Sequence, residues 1–133
     1  MREILFRGKS KHGKWYYGFY TEGYYLDGTP VAWIEVVDRK KKETDSPTVI
    51  PETVGQFTGV TDKKGKRIFE GDICRVSRPC VLAYGEITFQ NGCFWFVDDG
   101  PGGMLRLCDV KMNGFEVEVI GNIHDNPELL TEK

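Results

Sequence analysis

Two groups of side chains in this 133-residue sequence have types and spacings that chemistry could use. The first lies in TVGQFTGVTDKKGKRIFEGDICRV, residues 53–76, where Asp62, Lys63, Lys64, Lys66, Arg67, Glu70 and Asp72 crowd together. Glu70 and Asp72, one residue apart, would suit general acid–base work only if burial or a neighbour drove their pKa values apart. Gly71 between them predicts a bend ahead of a strand, so turn capping or solvated charge is expected and no catalytic residue is assigned. Lys63, Lys64, Lys66 and Arg67, followed by Arg75 and Arg78, would suit contact with phosphate or nucleic acid. The second group is aromatic: Trp15, Tyr17, Tyr20, Tyr24, Tyr25, Trp33 and Trp95. Small barrels stack bases on such rings beside cations, at about 1–3 kcal/mol per base. Here Asp62, Glu70 and Asp72 dilute the basic cluster, which favours using the rings as core or as a subunit interface.

Other constellations are weaker. Asp98, Asp99 and Asp109 invite magnesium, but a hard cation needs several oxygens converging from separate segments. The run DGPGG lacks the Lys-Ser/Thr that follows in a phosphate loop. His124 has no evident serine or cysteine partner. Cys74, Cys80, Cys93 and Cys108 form no CxxC, and His12 and His124 are not spaced to join them. Reduced, packed thiols are expected, with no metal, no cofactor and no enzymatic activity.

Positioning these groups calls for strands. Sixteen glycines, eight Phe, six Tyr and three Trp predict many short strands joined by tight turns. REILFR (2–7) reads as a strand. KWYYGFY (14–20) follows, with Trp15, Tyr17 and Phe19 on one face and Tyr16, Gly18 and Tyr20 on the other. A strand apolar on both faces is either covered twice or meets a partner chain or ligand. VAWIEVVD (31–38) repeats the pattern, and DRKKKETDSP (38–47), without an apolar residue, reads as a solvated loop. Short helical turns fit near 51–56 and 127–130, with Thr53 available to cap the first.

Asp62-Lys63-Lys64-Gly65 predicts a hairpin turn, the Asp bonding amides beyond it and Gly65 taking a positive φ. Asn91-Gly92 predicts a type I′ hairpin. Its register sets Phe89 opposite Phe94 and Ile87 opposite Phe96 on a core face, and Thr88 opposite Trp95, the more exposed aromatic, on the other. LRLCDV (105–110) reads as a strand, Asn113-Gly114 as a turn, and EVEVIG (116–121) as a strand with Val117 and Val119 inward. The fold class is mainly β: a small, partly open SH3-like barrel with additional N-terminal antiparallel strands and little helix.

A net charge of −2 supplies no general attraction to DNA or anionic lipid. No run approaches the about 18 apolar residues of a membrane span, and MREILFRGK is neither signal nor transit peptide. A cytoplasmic protein without membrane contact is expected.

MREILFRGK (1–9), PETVGQFTGVTDKKGKRIFEGDICRV (51–76) and VIGNIHDNPELL (119–130) together resemble the YopX family of phage and prophage proteins. The resemblance implies a bacterial host, one YopX-like domain over 1–133, a small β-rich fold and self-association. Within it, 1–60 would hold the aromatic strands and a variable loop, 61–126 the barrel-like part and 127–133 a tail. It implies no reaction and supplies no catalytic residue. The motifs read as architecture: Gly59, Gly65, Gly71 and Gly121 at turns or close approaches, Ile68, Phe69, Ile73 and Val76 in the core. The expected function is that of a non-enzymatic accessory protein. It would act as a homo-oligomer that binds a host protein or a nucleotide-like small molecule, in host modulation or counter-defence. Nucleic-acid binding through the basic 61–68 hairpin and nearby aromatics is the alternative.

Overall fold

The computed structural model describes residues 2–38, 40, 42–98, 100 and 103–130. Arg39 and Lys41 of the charged segment, Asp99, Pro101 and Gly102 of the glycine-rich loop, and the end of the expected tail, 131–133, lie outside them. The chain divides into two units, Met1–Phe57 and Thr58–Lys133.

The first unit is an antiparallel sheet of β1 (Phe6–Lys9), β2 (Trp15–Tyr24), β3 (Pro30–Asp38), β4 (Glu43–Asp45), β5 (Thr48–Val49) and the start of β6 (Gly55–Thr61). Their order is β4-β3-β2-β1-β6, with β5 also on β3. β2 serves two neighbours in succession. Its first half pairs with β1, Tyr17 opposite Arg7, and its second half with β3, Phe19 opposite Glu35. The changeover falls at Gly18, where a Cβ atom would lie 2.0 Å from the Glu35 carbonyl oxygen. Only a residue without Cβ lets the two backbones approach so closely.

The expected alternation along β2 is observed: Gly18 is buried, Tyr16 and Tyr20 pack against buried Ala32, Ile34 and Val49, and Tyr17 and Phe19 face outward. A 3-10 turn, Pro51–Thr53, is secured from within by Thr53, whose Oγ1 donates to the Ile50 carbonyl at 2.6 Å and accepts the Lys9 amide at 2.9 Å.

Two readings of this half need correction. The first strand begins at Phe6, not Arg2; before it, the Leu5 carbonyl accepts the Phe57 amide at 2.7 Å. The charged segment read as loop contains β4, which pairs with β3 through Val36↔Asp45 and Asp38↔Glu43. All three β4 residues are exposed. An edge strand needs only backbone pairing, so it leaves no apolar signal.

The second unit holds the rest of β6, β7 (Arg67–Phe69), β8 (Asp72–Arg78), β9 (Val81–Gln90), β10 (Cys93–Asp98), β11 (Met104–Arg106), α1 (Leu107–Met112), β12 (Glu116–Asn122) and a 3-10 turn, Pro127–Leu130. Five strands run β11-β10-β9-β8-β12, all antiparallel, in a curled sheet that forms a half-barrel. The fold is thus mainly β with little helix, as expected. The core comprises Ile68, Cys74, Val76, Ile87, Phe96, Leu107, Val110 and Val117. Phe69 and Ile73 are buried as well. Asn91 and Gly92 take φ of 53° and 77°, and the three anticipated cross-strand pairs of β9 and β10 are present.

Three details differ. Phe89 is 51% exposed, because the hairpin tip extends past the core; its ring meets Phe94 edge-on at 5.1 Å. Trp95 is half-buried and donates from Nε1 to the Gln90 carbonyl at 2.8 Å, so it is not the more exposed aromatic. The strand expected over 105–110 stops at Arg106 and becomes α1. Leu107 and Val110, three apart, are both buried on one helical face. Asn113-Gly114, read as a plain turn, ends that helix, with Gly114 at a φ of 81°.

Candidate functional site

The 62–65 turn is built around a buried carboxylate. Asp62 Oδ1 accepts the amides of Lys64 and Lys66, both at 2.9 Å, and Oδ2 accepts the Val119 amide at 3.1 Å. The Lys63 amide donates to the Val117 carbonyl, so the turn is pinned to β12 by two amide bonds. Burial pushes the Asp62 pKa up, but the three amides and the charge of Lys66 outweigh it and hold the group below its ordinary value. Asp62 is therefore a structural acceptor.

The six cations singled out above are largely engaged. Lys64 Nζ lies 2.8 Å from Glu118, which also receives Arg75. Lys63 lies 3.7 Å from Glu116, and the Arg78 guanidinium stacks 4.8 Å from the Phe115 ring. Lys64, above all, holds Glu118 below the usual carboxylate range. β12 thus lays two glutamates along the basic patch, and the field offered to a polyanion is much reduced. In sequence, Glu116 and Glu118 read only as the outward positions of an alternating strand, so their partners were invisible.

The aromatic candidates separate. Trp95 belongs to the second unit and the other six to the first. Tyr20 is half-buried, 5.6 Å from the Phe6 ring, and its hydroxyl donates to Glu22. Burial first, then Glu22, pushes its pKa up to about 12, so it remains a protonated donor. Trp15 lies under the buried Arg7 guanidinium at 4.8 Å, and Trp33 is half-buried on β3. Tyr17, Tyr24 and Tyr25 are exposed, Tyr24 at 75%.

Two grooves open beside these rings. One, of about 370 Å³, runs between Ile4, Leu5, Tyr17 and Phe19, with Glu3 and Glu35 in its lining. The other, of about 200 Å³, joins Tyr20 and Tyr24 to Pro30, Val31 and Pro51, with Glu22 beside them. Among the described residues neither groove is lined by Lys or Arg. Phe19, 55% exposed, and the fully exposed Leu26 belong to this surface and were not singled out. Alternation marks Phe19 as a neighbour of Tyr17, whereas Leu26 gives no periodic signal.

The remaining groups have structural uses. Asp72, buried, accepts the Phe69 amide at 2.7 Å across the bend at Gly71, so it caps the turn and is not solvated. The His124 amide donates to Asn122 Oδ1. Among the described residues no three His, Cys, Asp or Glu side chains are placed to hold a metal ion. Only Cys74 is a packed thiol; Cys80 and Cys108 are exposed and Cys93 is half-buried, which corrects the expectation for those three.

The model of the YopX protein family matches residues 5–131. The chain belongs to the YopX family. Family membership points to a protein of phage type. The YopX chain is also similar in structure to protein EF1440 from Enterococcus faecalis, known from a crystal structure. The TM-score is 0.59 at 23% identity, over 98% of this chain and 99% of that one. At that identity the likeness concerns the fold. No curated protein matches the sequence. Among the described residues, no helix of this YopX protein is long and apolar enough to cross a membrane.

Proposed function

We propose that this YopX protein is a non-enzymatic accessory protein that self-associates and binds a host protein factor through the outward aromatic surface of its first unit, in the bacterial cytoplasm. One observation carries the reading: β2 buries Gly18 and turns Tyr17 and Phe19 outward, while Tyr24, Tyr25 and Leu26 stand exposed where β2 leads towards β3. Aromatic rings with little side-chain entropy to lose are the usual anchors of protein interfaces.

The grooves beside them carry glutamates, which disfavours a phosphate-bearing, nucleotide-like ligand relative to a protein partner. The nucleic-acid alternative loses support because Lys63, Lys64 and Arg75 already face Glu116 and Glu118. Of the Glu70–Asp72 pair considered for acid–base work, Asp72 serves the Phe69 backbone amide, and the neighbouring Asp62 serves those of Lys64 and Lys66.

Light scattering at micromolar concentration tests the reading. The unmutated chain should be a multimer, and Tyr17→Ser with Phe19→Ser should release folded monomer. An unmutated monomer would overturn self-association. Steep salt-dependent binding of single-stranded DNA, lost in Lys64→Glu with Lys66→Glu, would favour the alternative.

A further inference from the structure

The second half of β2 has a strand on one side only. β1 pairs with β2 from Trp15 to Gly18, and β3 pairs with it on the opposite side from Phe19 to Tyr24. Ahead of Phe6 the chain stays with β6, where the Leu5 carbonyl accepts the Phe57 amide, and parts from β2. Ile4 and Leu5 therefore stand across the larger groove from Tyr17 and Phe19. Among the described residues no strand pairs with Tyr20–Tyr24 on the side that β1 has left.

The register tells which backbone groups face that open edge. Ile34, opposite Tyr20, sends its amide to the Pro47 carbonyl at 3.1 Å, on the side of β3 away from β2. Tyr20 and Ile34 are thus a pair that exchanges no hydrogen bonds, and in an antiparallel ladder every second pair is of that kind. Glu22–Ala32 and Tyr24–Pro30 are the next two, and Pro30 has no amide to give. At the hairpin end the Tyr25 amide donates to the Thr29 carbonyl, as the same alternation requires. The N–H and C=O groups of Tyr20, Glu22 and Tyr24 therefore point to the edge that no strand occupies.

The side chains there select what could fill it. Glu22 lies at the centre of the edge, exposed, and its carboxylate is positioned by the Tyr20 hydroxyl. Two copies of β2 joined antiparallel about this centre would set their Glu22 carboxylates directly opposite each other, which is destabilising. The two grooves of the first unit add Glu3 and Glu35, and neither is lined by Lys or Arg. A strand carrying cations complements these carboxylates, whereas an acidic one is repelled.

We propose that the Tyr20–Tyr24 edge of β2 receives an added strand from the host protein, an extended segment with Lys or Arg opposite Glu22 and apolar or aromatic residues flanking it. Backbone hydrogen bonds to Tyr20, Glu22 and Tyr24 supply affinity, and the alternate side chains supply specificity. The inference rests on the reading that the first unit binds a host protein, and it gives the mode of binding and the chemistry of the partner.

Selection of a displayed random-peptide library on the full chain, with a recovered peptide synthesised as the probe, tests this. The recovered peptides should be basic and rich in β-branched and aromatic residues. Hydrogen exchange at the amides of Tyr20, Glu22 and Tyr24 should slow at least about tenfold when the probe binds. N-methylation of one alternate set of the probe's amides should weaken binding at least about tenfold, and of the other set leave it unchanged. Glu22→Lys, with an unaltered circular dichroism spectrum, should lose the basic probe and select acidic peptides instead. Peptides without a basic preference, or a basic probe that tolerates Glu22→Lys, would overturn the partner chemistry and leave protein binding by the first unit standing. Tolerance of N-methylation in both sets, or protection of the same three amides by raised protein concentration alone, would overturn strand addition from a different protein. Recovery of no peptide would overturn the inference, and the reading beneath it falls as well only if the unmutated chain is also monomeric.

Discussion

Each unit contains a ten-residue strand with an interior glycine pressed against a neighbouring backbone, β2 at Gly18 and β9 at Gly85. A Cβ at Gly18 would lie 2.0 Å from the Glu35 carbonyl oxygen, and one at Gly85 2.2 Å from that of Val97. What surrounds each of these strands differs. Around β9, eight buried side chains from β7, β8, β9, β10, α1 and β12 fill the half-barrel. Around β2 the buried apolar cluster among the described residues is the small one of Ala32, Ile34 and Val49, while Tyr17, Phe19 and Tyr24 remain outside. The same local device therefore accompanies a filled core in one unit and an exposed aromatic surface in the other. The number of elements available to cover the second face decides which.

The comparison breaks most sharply at the two glycines. Gly85→Ala and Gly18→Ala should each cost on the order of 3–5 kcal/mol, because a backbone carbonyl cannot step aside as a side chain can. Urea unfolding followed by Trp95 fluorescence reports the second unit, and by Trp15 and Trp33 the first. Full stability in either variant would mean that the backbone approach at that glycine is not tight. Next in size is the contrast between inward and outward rings. Phe96→Ala should lose about 3–5 kcal/mol as a cavity opens, whereas Phe19→Ala should stay within about 0.5 kcal/mol and act on self-association instead. Equal destabilisation of the two would mean that Phe19 is core.

A smaller effect is expected at Asp62. Its folded pKa lies below the ordinary 3.8, so the stability it contributes is present above 3.8 and is lost as pH falls through the lower folded value. Asp62→Asn should cost about 1–3 kcal/mol at neutral pH, since one oxygen facing an amide becomes an NH2 group. Acid titration of the unfolding midpoint should then lose this component; an unchanged acid limb would rule it out.

The smallest effect has the opposite sign. Burial, then the charge of Glu70, raises Glu86 above its ordinary 4.5. Its favourable contribution is therefore present below 4.5 and lost as pH rises through the folded value. Glu86→Gln should lift Tm by about a degree or two at pH 7 and leave it unaltered below 4.5, as calorimetry at both pH values would read.

Local chemistry carried much of this fold legibly. Asn91-Gly92 has one low-energy hairpin geometry, so the turn, its register and the Ile87–Phe96 pair followed from a dipeptide and alternation. Asp62 and Gly65 announced their turn for the same reason. β4 escaped notice because an edge strand carries no apolar period, and α1 because six residues give too little of the helical repeat.

The candidate site was legible only as an inventory. The tyrosines, tryptophans and cations stand in the sequence, but which rings are covered depends on whether another element lies across them. Whether Lys64 and Arg75 are available depends on Glu118, 43 residues from Arg75 along the chain, sitting directly opposite it on the neighbouring strand. Turns, alternation and family are properties of neighbouring residues, so the sequence alone determined them. Exposure and ion pairing arise between residues brought together by the sheet. Only the tertiary structure could decide those.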